Sequence, residues 1–186
     1  MYRGYRDRFF ERRLEYACSF DTKLCFEGVA PDAEGYSLLF RAATPRDAGC
    51  LFHVADAATV LGADGKSHDC PSGRIVSVEE QARFHADARD GAITGRLTFE
   101  TEDAAIIDTT YSGVLKLSRS PRQLAEPGTE LKGLLWLTLI FCASHSRYQW
   151  LNEHACVANG RWRAQASGAG GKTLGVATEV DVYSAR

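Results

Sequence analysis

Long apolar runs are missing from this chain. The longest, GLLWLTLIFCA from Gly133 to Ala143, falls far short of the roughly 20 residues that a membrane-spanning helix needs. An excess of one charge is missing too: 22 lysines and arginines stand against 24 aspartates and glutamates, a net charge of −2. That balance lacks the basic footprint of a dedicated nucleic-acid binder and of a polybasic membrane-surface protein. The opening MYRGYRDRFFERRLEY has no apolar h-region and no small-residue cleavage site, and it mixes arginines with Asp7, Glu11 and Glu15. Neither a secretory signal nor a transit peptide is expected, and a cytoplasmic location is.

Cofactor and metal signatures are equally scarce. The histidines (His53, His68, His85, His145, His154) show no ligand spacing, and no CxxC pair occurs. His68, Asp69 and Cys70 put possible ligands near one another in a loop-like stretch, but a zinc site needs three or four convergent ligands. GAGGK (168–172) lacks P-loop spacing and precedes a strand rather than a helix, so it reads as a hairpin turn. There is no GxSxG elbow. No metal and no cofactor are expected. The six cysteines (Cys18, Cys25, Cys50, Cys70, Cys142, Cys156) are widely spread, and in a cytoplasmic chain they are expected to stay free thiols.

What is present is alternation. At 186 residues and 45% apolar, the chain suits one domain over 1–186 that buries roughly 70% of its unfolded surface. Residues 1–13 would form an N-terminal arm or a short helix. From Leu14 to Phe26 the even positions are Leu14, Tyr16, Cys18, Phe20, Thr22, Leu24 and Phe26, against mostly polar odd ones. This is a half-buried strand. Shorter strands are expected at Tyr36–Arg41, Cys50–Ala55 and Arg74–Val78, with later ones at Leu134–Ala143, Ala155–Ala166 and Leu174–Tyr183. The near-continuous apolar character of Leu134–Ala143 suggests burial on both faces. About eight to ten strands with little helix make an all-β antiparallel barrel, expected to self-associate.

Turn chemistry between Arg83 and Leu117 predicts registers. Asp90-Gly91 is a type I′ hairpin signal, which would set Phe84 opposite Leu97 and Ala86 opposite Gly95. A three-residue loop at Glu102-Asp103-Ala104 would set Phe99 opposite Ile107, Leu97 opposite Thr109 and Gly95 opposite Tyr111, laying the tyrosine ring over a glycine. A two-residue loop would oppose Phe99 to Asp108, which the hydrophobic pattern rejects.

Several blocks in order resemble the domain-of-unknown-function family 3237: RDGAITGRLTFETED (89–103), AIIDTTYSGV (105–114), YQWLN (148–152), CVANGRW (156–162) and EVDVY (179–183). The resemblance runs from about Phe84 to Tyr183. It departs at Ala104, where a glycine is usual, and at Arg83-Phe84, where an Asp-Trp pair is usual. It implies a small β-barrel similar at fold level to allene oxide cyclase and dirigent barrels, which hold apolar small molecules and steer cyclisation or coupling without a cofactor. Such fold-level likeness is analogy for function.

The predicted registers place His85, Arg96 and Thr110 in one row, with Asp87 and Asp108 in adjacent rows. Imidazole, guanidinium and carboxylate could then supply a general base and an anion-stabilising cation. The bland alternative is the wet outer face of a sheet. On the opposite, apolar face Tyr111 is a lone hydroxyl able to donate to a carbonyl or act as acid, or a buried tyrosine satisfied by a backbone partner. Tyr148, Trp150 and Asn152 sit on a turn that would line a barrel mouth, together with Trp136; alternatively Trp150 plugs one end and Asn152 caps backbone groups. The leading reading is a cofactor-independent lyase, isomerase or cyclase for a small apolar, aromatic or polyketide- or terpenoid-like molecule in the barrel. In that reading Tyr111, His85, Arg96, Asp87 and Asp108 are catalytic. The rivals are a non-catalytic binding protein and an oligomeric structural protein with a filled interior.

Overall fold

The computed structural model describes residues 14–32, 35–41, 51–53, 59–61, 67–69, 73–85, 88–121, 123, 128–166 and 174–185, with side chains at 73–85, 88–121, 123, 128–165 and 176–184. Asp87, Cys70 and residues 1–13 lie outside the described residues. The strands are β1 (Leu14–Asp32), β2 (Gly35–Arg41), β3 (Leu51–His53), β4 (Thr59–Leu61), β5 (Ser67–Asp69) and β6 (Gly73–His85), then β7 (Asp90–Thr101), β8 (Ile106–Leu117), β9 (Glu130–Ala143), β10 (Ala155–Ala166) and β11 (Leu174–Ala185). A 3₁₀ helix, Ser146–Glu153, joins β9 to β10. Among the described residues no helix is long and apolar enough to cross a membrane.

The fold is an antiparallel β-barrel. Its strand order is β11-β10-β9-β8-β7-β6-β2-β1-β3, and β1 also pairs with β11. Length lets β1 serve several neighbours: Leu14 to Cys25 pair with β11, and Cys25 to Asp32 pair with β2. Strands β2 and β3 lie end to end between β1 and β6, since Leu51 pairs with Arg74 and His53 with Ser19. Among the described residues the hydrogen-bonded order therefore returns on itself through β1 and β11. Strands β4 and β5 form a separate ribbon.

The β7–β8 hairpin has the register that its hydrophobic pattern requires, with Phe99 opposite Ile107, Leu97 opposite Thr109 and Gly95 opposite Tyr111. Thr101 N–H donates to Ala105 O and Ala104 N–H to Thr101 O, both at 2.9 Å. This closes a three-residue loop in which Ala104 takes a left-handed φ of +60°.

The β6–β7 register differs from the expectation. Phe84 lies opposite Gly91, Ala82 opposite Ile93 and Val78 opposite Leu97. Asp90-Gly91 is not the turn but the first step of β7, because β8 pairs with it through Leu115 and Lys116. Gly91 serves close approach instead: a Cβ there would lie 2.5 Å from Phe84 Cδ1. The chain reverses just before, where Ala88 N–H donates to His85 O at 3.0 Å. Moving the partner of Phe84 from Leu97 to Gly91 is an even shift, so the residues on each face are unchanged.

A second difference concerns β9. Its burial alternates strictly, with Leu131, Leu135, Leu137, Leu139, Phe141 and Ala143 inside while Leu134, Trp136 and Ile140 are 49%, 48% and 67% exposed. One face of this strand is covered by the chain itself and the other is not. The core joins this inner face to Ile75, Val78, Phe84, Ile93, Leu97, Ile107, Leu115 and the fully buried Trp162.

Candidate functional site

Strand alternation carries the apolar face of β6 back from Phe84 through Ala82 to Val78, and Glu80 falls between them. It is 4% exposed. Across the sheet, Glu80 is opposite Gly95, and Gly95 is opposite Tyr111. A Cβ at Gly95 would overlap the ring and hydroxyl of Tyr111. The glycine thus leaves a gap through which Tyr111 reaches over β7 and donates from Oη to Glu80 Oε2 at 2.6 Å.

Burial dominates the electrostatics of this pair. Desolvation pushes the Glu80 carboxyl up to about 7, against a smaller lowering by the Tyr111 hydrogen bond. Burial also raises the Tyr111 phenol well above its usual range, helped by the neighbouring carboxylate. Near neutrality Glu80 exists in both protonation states while Tyr111 keeps its proton. The second oxygen, Glu80 Oε1, is buried and has no hydrogen-bond partner among the described residues. Thr109 Oγ1 and Ser184 Oγ share that condition. Ser184 belongs to the same register row, which runs Tyr111, Leu139, Cys156, Ser184. Unpartnered buried oxygens are uncommon in folded proteins. Cys156 adds no nucleophile, since burial pushes its thiol up to about 11. Cys142 and Cys156 are free; the side chains of the other cysteines lie outside the described residues.

The expected polar set lies on the other side of the sheet. Arg96 is opposite Thr110 and Glu79, whereas His85 is opposite Gly35. His85 and Arg96 are therefore not brought into one row, and the reason is the register difference in β6–β7. Arg96, Thr110 and His85 are exposed. Asp108 sits 3.5 Å from the Arg96 guanidinium and accepts from Thr98 Oγ1 at 2.7 Å. Trp136 also points outward, 48% exposed.

Tyr148 and Trp150 are buried where the 3₁₀ helix meets the β7–β8 loop. Tyr148 Oη donates to Asp103 Oδ1 at 3.0 Å and Arg147 Nη1 to Asp103 Oδ2 at 3.1 Å. The Thr101 hydroxyl, then Tyr148 and Arg147, hold the Asp103 carboxyl down to about 2 against partial desolvation. Asn152 acts as a backbone cap: its Oδ1 accepts from Ala143 N–H at 2.7 Å and its Nδ2 donates to Ala143 O at 3.0 Å. Among the described residues no three His, Cys, Asp or Glu side chains converge as a metal group would require. An open groove of about 1020 Å³ runs along the outside of β9, β10 and β11, away from Tyr111.

Sequence reasoning missed Glu80. Its signal was present, a carboxylate two residues from Ala82 on the apolar face, but the strand was read as ending at Val78. The predicted β6–β7 register would also have paired it away from Gly95.

An antiparallel barrel with a carboxyl–phenol pair buried on its inner face is the class that fold and geometry define. The chain belongs to the family described as a protein of unknown function, DUF3237, whose pattern matches residues 58–185. That match takes in all of β6, and so Glu80. No curated protein matches the chain. A β-barrel-like protein from Acinetobacter baumannii is 19% identical, with a TM-score of 0.60 over 94% of this chain and 96% of its own. A conserved protein of unknown function from Rhodopseudomonas palustris is 14% identical, with a TM-score of 0.58 over 94% and 98%. An enzyme from Penicillium herquei is 13% identical, with a TM-score of 0.51 over 94% and 95%. At such identities these likenesses establish the barrel fold alone.

Proposed function

We propose that this barrel is a cofactor-independent acid/base enzyme, a lyase, isomerase or cyclase, acting on a small apolar molecule of aromatic, polyketide-like or terpenoid-like character. Glu80 is its proton-transfer group and Tyr111 the group that holds and tunes it. The observation that carries this reading is Glu80 Oε1: buried, without a partner among the described residues, on a carboxyl raised to about 7. A general base works best when its pKa lies near the operating pH. As carboxylate, Oε1 would take a proton from an activated carbon or hydroxyl of the ligand while Oε2 stays bonded to Tyr111. The resulting acid would return that proton at a second position, so the cycle needs no oxidant, reductant or cofactor. The fold likeness to an enzyme from Penicillium herquei supports this reading by analogy.

The test is hydrogen–deuterium exchange into a panel of enolisable aromatic and polyketide-like ketones, followed by proton NMR. The wild type is expected to accelerate exchange with a rise centred near pH 7, and Glu80→Gln to lose at least about 100-fold. Exchange that survives unchanged in Glu80→Gln would refute the assignment. The same unpartnered oxygens also suit a binding protein. Tight binding without exchange, equal in both forms, would select that reading instead.

A further inference from the structure

The outer face of β8, β9 and β10 carries more apolar surface than a solvated sheet face needs. Val114, Leu134, Trp136, Ile140 and Val157 are all between 37% and 67% exposed. They are contiguous: Val114 lies opposite Trp136, Thr110 opposite Ile140, and Val157 opposite Thr138 between them. Scattered exposed apolar residues need no explanation, whereas a joined patch marks an interaction surface. Charge is arranged beside it in register. One row across the outer face reads Lys116, Leu134, Arg161, Glu179, and the next reads Val114, Trp136, Asn159, Asp181. The basic residue of β8 and the acidic residues of β11 thus flank an apolar centre on β9.

We infer that this face is the interface with a second copy of the chain, related by a two-fold axis running along the strands between β9 and β10. Such an axis keeps each row at its own level and exchanges its two sides. Strand β8 then faces β11 of the second copy, and β9 faces β10. Lys116 meets Glu179, Leu134 covers the aliphatic stem of Arg161, and Trp136 lies over Asn159 in the outer groove. Every contact occurs twice. Among the described residues Lys116 has a long, exposed approach to Asp90 at 4.0 Å, which leaves it available for this pairing. A two-fold axis across the strands would instead set the β11 carboxylates against their own images. Charge complementarity therefore selects the axis, and the apolar residues supply the area. This inference stands independently of the Glu80 reading.

Sedimentation equilibrium of the full chain tests it. The wild type is expected to be a dimer, and Trp136→Asp with Ile140→Asp a folded monomer by circular dichroism. Lys116→Glu alone and Glu179→Lys alone should each weaken association about tenfold, through two lost pairs. Combining Lys116→Glu with Glu179→Lys should restore it to within a few-fold. A wild-type monomer at about 100 µM, a trimer, or a Trp136→Asp/Ile140→Asp dimer would overturn the inference. So would charge-reversed singles that weaken nothing, or a double reversal that recovers nothing. Should the apolar variants fail to fold, the charge reversals at exposed positions still decide it.

Discussion

Two carboxylates in this barrel each accept a hydrogen bond from a hydroxyl at nearly the same distance, Glu80 from Tyr111 at 2.6 Å and Asp108 from Thr98 at 2.7 Å. Everything else about them differs. Asp108 has a guanidinium 3.5 Å away, and its side chain is 39% exposed. Glu80 lies inside, and burial raises its proton affinity. The direct partner is almost the same and the surroundings decide the behaviour. Water stabilises the outer carboxylate at no structural cost, and the inner one must share a proton. The outer carboxylate is thus held by solvent and a guanidinium, and the inner one by a single phenol.

The comparison breaks most sharply at Gly95, the one position that lets Tyr111 reach Glu80. Gly95→Val would drive a branched side chain into the space of the Tyr111 ring. The expected loss is about 3 kcal/mol of stability by urea denaturation, at the upper end for overpacking. Rescue by Tyr111→Ala in the Gly95→Val background would confirm the cause, since the cavity left by the ring admits the valine.

Glu80 itself gives the next largest effect, and its sign can be worked out. The folded carboxyl is raised from 4.5 to about 7, so below pH 4.5 both folded and unfolded chains hold the proton. As pH rises towards 7 the unfolded chain releases it first, and stability falls. The whole window corresponds to about 3 kcal/mol for a fully buried group. Glu80→Gln removes that slope. Unfolding free energies measured from pH 4 to 8 should therefore converge at the acid end, with the variant the more stable at pH 8. A wild-type profile equally flat across that window would mean that Glu80 is solvated.

How much of this was legible follows from the kind of signal each feature leaves. The β7–β8 register could be read because Phe99 and Ile107 admit one loop length, and Ala104 tolerates the left-handed slot. The β6–β7 register could not, because Asp90-Gly91 matches two demands alike, a tight turn and a close approach beneath Phe84. The faces survived that error since an even shift preserves parity, so Tyr111 was correctly placed inside and Arg96 on the opposite face. Its partner was not legible: cross-strand contact over an intervening glycine depends on register in two hairpins at once. Leu134–Ala143 misled in another way. Apolar residues on both faces look the same in sequence whether the second face meets the same chain or another surface.

The smallest expected effect sharpens the contrast from the other side. Arg96 and Asp108 form an exposed pair, with the Arg96 side chain 64% exposed. Pairs of this kind contribute little, because solvent and mobile ions already compensate both charges. Arg96→Ala should change unfolding free energy by less than about 0.5 kcal/mol, and should leave the pH profile with the slope due to Glu80. It should also leave deuterium exchange intact, because its guanidinium lies across the sheet from Tyr111. A loss of exchange in folded Arg96→Ala would return the outer row to the chemistry and remove Glu80 as its sole proton carrier. An unchanged rate in Arg96→Ala beside lost exchange in Glu80→Gln would leave the two faces divided as their burial divides them.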